Sequence, residues 1–152
     1  NTTTFSAVSS VSIDDVFTSD YENYLILIRA SSAPAMVQLR MRAAGTDASG
    51  SNYTYQEDLS NGSTITTSRV TNAANYPLGT NNGMEATSLY VFSPQVSVPT
   101  IFHMNSFDSA GHALWRKNIG QHTLSTSYDG FSFISAAAAT GTIRIYGYSN
   151  GA

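Results

Sequence analysis

The stretch GTIRIYGY, residues 141–148, decides how the chain has to be read. Ile143 and Ile145 alternate with Arg144 and Tyr146, which is the period of two of a strand with one dry face. Gly141 opens the run, and Gly147 with Asn150-Gly151 closes it with turn-forming residues. Chain ends fray unless something ties them down. This segment is therefore expected to be woven into a sheet, with Tyr146 and Tyr148 pointing away from the core that takes the two isoleucines.

The same period recurs through the sequence. Between Met36 and Ala43, Val37, Leu39, Met41 and Ala43 point one way while Gln38, Arg40 and Arg42 point the other. Tyr24 to Ala30 is apolar on both faces until Arg29, the pattern of a central strand covered on each side. Further strands are predicted over 4–8, 10–13, 86–92, 100–107, 113–119, 130–135 and 142–148. Between 44 and 84 the alternation dissolves into Gly, Asn, Ser and Asp. That stretch reads as one long loop region holding short strands near 53–56 and 64–69. The run AAAAT at 136–140 is too short for a stable helix and reads as a tight loop of small residues. Strands at this spacing with no helices between them predict an all-β fold, an antiparallel, jelly-roll-like β-sandwich in one domain spanning 1–152. Its core is expected to hold Tyr24, Ile26, Ile28, Leu39, Leu89, Val91, Phe102, Phe133, Ile143 and Ile145.

A chain of 152 residues buries roughly 68–70% of its unfolded surface, so it builds a core without staples. It has no cysteine, which excludes disulfides, thiolate zinc sites and thiol chemistry. The longest strongly aliphatic run, Leu25 to Ile28, is too short to cross a bilayer, so no membrane insertion is expected. Seven Lys and Arg residues stand against ten acidic ones, and no cationic cluster exists to neutralise phosphate. Nucleic acid is not an expected partner. Serine, threonine and asparagine keep the surface wet instead, a style common to extracellular and virion β-proteins.

Catalytic templates fail in turn. No Gly-x-Ser-x-Gly elbow precedes a helix. His103, His112 and His122 match no zinc spacing, and no metal or other cofactor is expected. Asp14 and Asp15 are adjacent, so in a strand they would face opposite ways, unlike the convergent carboxylates of glycoside cleavage. Asp47, Asp58 and Asp129 lack the Asp-x-Asp-x-Asp-Gly pattern of a calcium loop. The chain is read as a non-enzyme. The aromatics are the more promising feature. Tyr53 and Tyr55 share a face if extended, inside a polar segment that also holds Asp47 and Tyr76. Rings beside amides and carboxylates make a sugar-binding surface, so Asp47, Tyr53, Tyr55 and Tyr76 are the candidate ligand-binding residues. Packing of these tyrosines into the core or a subunit contact is the more ordinary fate of such rings and stands ahead of sugar binding. Trp115, Tyr146 and Tyr148 fall on outward positions beside arginines, a composition enriched at subunit interfaces, and are the candidate interface of a homo-oligomer.

Four phrases occur in order: VFTSDYENYLILI (16–28), LRMRAAGTDASGSNYTYQ (39–56), LYVFSPQVSVPTIF (89–102) and YDGFSFISAAAATGTIRIYGY (128–148). Together they resemble a family of bacteriophage virion proteins, especially tail-associated proteins and tail-fibre ends. The resemblance implies a phage virion-surface β-sandwich localised on the particle, associated with the tail or decorating the capsid. It also implies a homotrimer in contact with other virion proteins. Adhesion to bacterial surface glycans is the expected role, and a capsid decoration protein, a small carbohydrate-active enzyme or a carbohydrate-binding module are the alternatives. The family has no agreed catalytic residues to carry over.

Overall fold

A computed structural model describes residues 1–79, 84–108 and 114–148. Among these there is no helix, and eleven strands run antiparallel to their neighbours. They are β1 (Thr2–Ile13), β2 (Asn23–Ser32), β3 (Val37–Ala43), β4 (Thr46–Asp47), β5 (Tyr53–Asn61), β6 (Thr64–Ala73), β7 (Tyr76–Pro77), β8 (Ala86–Phe92), β9 (Thr100–Asp108), β10 (Leu114–His122) and β11 (Gly130–Tyr148). One hydrogen-bonded path joins them in the order β4-β3-β11-β2-β8-β9-β10-β5-β6, with β1 on β11 and β7 on β3.

The 19-residue β11 folds this path into a sandwich. Its first part, Gly130 to Ser135, pairs with β3, and its last part, Thr140 to Tyr148, pairs with β2. β1 follows it along both parts. The β1–β11 ribbon thus passes from a small layer, where it meets β3, into a large layer running from β2 to β6. The corner falls on Ala136 to Ala139, the run expected to be a loop. Alanine side chains let the strand bend without leaving the ladder, and β1 matches the bend with two register shifts and Ala7 at φ 52°.

The apolar face of each layer is turned inward. Ile143 and Ile145 of β11 sit beside Ile28 and Ile26 of β2, and Leu89 and Val91 of β8 continue the layer. Val37, Leu39 and Met41 of β3 meet Phe131 and Phe133 from the small layer. Aromatic pairs cross between them, Phe5 on Phe133 at 4.9 Å and Phe17 on Tyr24 at 4.8 Å. All ten residues expected in the core are buried.

Two further expectations need correction. β2 is covered on one side only: Tyr24, Ile26 and Ile28 are buried, whereas Leu27 stays exposed on the open face. The 44–84 stretch holds far more strand than loop among its described residues, because the expected short strands lengthen into the hairpin β5–β6. Its Thr- and Ser-rich composition is that of strands wet on their outer sides.

Candidate functional site on the open sheet face

The registers of β5, β10, β9, β8, β2 and β11 set their outward side chains in rows across the large layer. One row is Trp115, Phe107, Ala86, Arg29 and Thr142; the next is Lys117, Asn105, Ser88, Leu27 and Arg144. Then come Ile119, His103, Tyr90, Leu25 and Tyr146, and finally Gln121, Ile101, Phe92, Asn23 and Tyr148. Cross-strand partners share a face, so all of these project away from the core.

The first two rows enclose a groove of about 660 Å³ lined by Leu27, Arg29, Ser88, Asn105, Phe107, Trp115 and Arg144. Half-buried Trp115 forms one wall, and an amide, a hydroxyl and two guanidinium groups line the rest of the groove. Arg29 is fixed at the rim by an ion pair with Glu85 at 2.6 Å and by donation to the Glu85 carbonyl. A second concavity of about 660 Å³ lies toward β5 and β6, between Gln56, Asp58, Arg69, His103, Lys117 and Ile119. The last two rows carry an apolar stripe. Tyr90 lies nearly parallel to Phe92, His103 and Tyr148, with centroids 6.4, 6.1 and 6.5 Å away. Ile119, Ile101, Tyr146 and Tyr148 are 62%, 48%, 48% and 42% exposed, so this stripe faces solvent. Tyr146, Tyr148 and Trp115 therefore stand outward, as their alternation predicts.

The residues expected to bind sugar stand elsewhere. Tyr53 and Tyr76 have no exposed surface. The Tyr53 hydroxyl accepts from the Met41 N–H at 2.8 Å and donates to the Ala48 carbonyl at 3.2 Å. Tyr76 packs on Phe102 at 4.7 Å, and half-buried Tyr55 meets Tyr76 edge-on at 5.7 Å. Burial pushes all three phenols above the usual tyrosine pKa. Asp47 binds Arg42 at 2.5 Å and the Ser132 hydroxyl at 2.7 Å, pinning β4 to the small layer. The structure brings the three tyrosines together, but as core, so they are not a platform for a ligand. Their shared face is the inner one.

The histidines also divide between faces. His103 stacks on Tyr90 outside, while His122 is buried, 3.0 Å from the Tyr128 hydroxyl through Nδ1. His112 lies outside the described residues. Among the described residues no group of three His, Cys, Asp or Glu side chains is placed to share a metal ion.

Sequence reasoning missed Arg29, Ser88, Asn105 and Arg144 as residues lining one groove with Trp115. They come from β2, β8, β9 and β11, and only the register brings them level. The available signal was alternation, which places each on the outward set of its own strand.

No protein-family profile matches the chain, and no curated protein matches it. Among solved structures it is similar to galectin LEC-6 of Caenorhabditis elegans, with 9% identity, 94% of this chain and 95% of that chain covered, and a TM-score of 0.38.

Proposed function

We propose that the chain is a non-enzymatic attachment module exposed on a phage virion, associated with the tail, which holds bacterial surface glycan in the groove beside Trp115. The observation that carries this reading is the groove itself: a half-buried indole at one end of an open sheet face, with Asn105, Ser88 and Arg144 along the same groove. An aromatic wall takes the apolar face of a sugar ring, and a few convergent polar groups fix its hydroxyls. The order of the four sequence phrases supports the virion setting. On an array of bacterial surface polysaccharides, Trp115→Ala and Arg144→Ala are each expected to weaken binding by about tenfold or more, roughly 1.4 kcal/mol, with an unchanged circular-dichroism spectrum. A wild-type chain that retains no polysaccharide would sink the proposal.

The stripe of Tyr90, Phe92, Tyr146 and Tyr148 favours a second reading, a structural or capsid-decorating role in which this apolar surface seats another virion protein or a further subunit. Exposed apolar patches of this kind mark interaction sites. The two readings separate cleanly, because Tyr148→Ser with Phe92→Ser would abolish particle incorporation and spare polysaccharide binding.

A further inference from the structure

Sheets expose their edges to pairing, and proteins blunt them with short strands, bulges, charges or proline. Most edges here are blunted. β4 and β7 are two residues long, and β1 carries two register shifts along its pairing with β11. β6 is the exception. It is ten residues long, ends the path of strands, and is exposed at every position except half-buried Val70 and Ala73. It holds no proline and a single charge, Arg69. Its one irregularity falls near its end, opposite Tyr53 and Tyr55 and next to Asn72 at φ 59°.

We propose that β6 pairs antiparallel with β6 of a second copy of this chain, joining two large layers into one continuous sheet about a twofold axis at Ser68. Backbone groups of an antiparallel pair engage when the two residue numbers add to an even sum. Centring on Ser68 or on Arg69 keeps equally much of Thr64–Ala73 in register; centring on Arg69 would set the two arginines against each other, whereas centring on Ser68 sets Thr66 against Val70 and Thr67 against Arg69. Charge selects the Ser68 register in a second way. Thr67 pairs with Asp58 inside the chain, so Arg69 of each copy reaches across the partner's Thr67 to that copy's Asp58 on the same face. Two strand spacings, about 9.6 Å, separate the backbones, a gap that an extended arginine and an aspartate span together. Among the described residues Arg69 and Asp58 form no ion pair within one chain. The pairing is twofold, in place of the threefold assembly that the phage resemblance implies, and it does not depend on glycan binding. It would set the concavities beside Arg69 next to each other across the axis.

The absence of cysteine makes the test direct. Sedimentation of the wild-type chain from submicromolar to submillimolar concentration is expected to show a shift from 16.2 kDa to twice that mass. Ser68→Cys is expected to form a disulfide dimer under mild oxidation, since facing residues at the axis lie within disulfide reach, while Ile65→Cys does not. Arg69→Glu should weaken dimerisation tenfold or more, and Arg69→Asp combined with Asp58→Arg should restore it. Both sites are solvent-facing, so circular dichroism should report intact folds. A monomer at every concentration, a trimer, equal cross-linking from positions 65 and 68, or a dimer indifferent to Arg69→Glu would each overturn the proposal.

Discussion

Tyr53 carries its phenol into the interior to serve the backbone, taking the Met41 N–H and giving its proton to Ala48. Tyr53→Phe keeps the ring and strands both backbone groups, so it is expected to cost about 1–3 kcal/mol in urea unfolding. The ring stands 4.5 Å from His122, a second residue with a measurable consequence. Desolvation holds the His122 pKa below its usual 6.5, partly offset by a hydrogen bond with the Leu124 backbone. Well above that value the imidazole is neutral folded and unfolded, and no stability is at stake. As pH falls through it, the unfolded chain takes up a proton that the folded chain resists, so stability drops on the acid side. Melting at about pH 7.5 and about pH 5.5 is expected to show this loss, and His122→Gln is expected to reduce it. An unchanged difference between the two pH values would assign the acid sensitivity to other groups.

At the scale of elements, alternation was legible wherever one face is dry and the other wet. It marked β3, β8, β9 and the end of β11, and all ten residues expected in the core are buried, but it was not read in β2, whose outward Leu25 and Leu27 made both faces look dry. It failed where a strand changes layer. Ala136 to Ala139 offers no alternation because its four side chains are identical, so a bend inside β11 looks like a break between strands. The tyrosines were ambiguous for a different reason. That Tyr53 and Tyr55 share a face follows from their spacing, but which face is covered depends on β7 and Phe102, which are distant in sequence. Packing at the corner is tight. A Cβ on Gly141 would lie 2.4 Å from the Arg29 carbonyl oxygen and 2.9 Å from the Phe5 ring. Gly141→Ala is therefore expected to destabilise by about 1–3 kcal/mol, while Ala136→Ser, on an exposed position of the same strand, is expected to be close to neutral. Equal melting temperatures for the two variants would contradict the layer-switching role of this segment.

For the whole molecule, folding assigns the aromatic residues to two populations. Tyr24, Tyr53, Tyr76, Phe102 and Phe133 seal the interior between the layers, whereas Tyr90, Phe92, Tyr146, Tyr148 and Trp115 stand on the outer side of the large layer. Under the proposed function the outward set of one sheet is the contact surface, while Tyr53 and Tyr76 of the polar segment are buried. A side-by-side titration of wild type, Trp115→Ala and Tyr55→Phe against bacterial surface polysaccharide, with thermal melts of each, tests this most directly. The expected result is that Trp115→Ala loses binding by about tenfold or more at an unchanged melting temperature, while Tyr55→Phe binds as wild type does. Binding that survives Trp115→Ala and disappears in Tyr55→Phe would contradict the account.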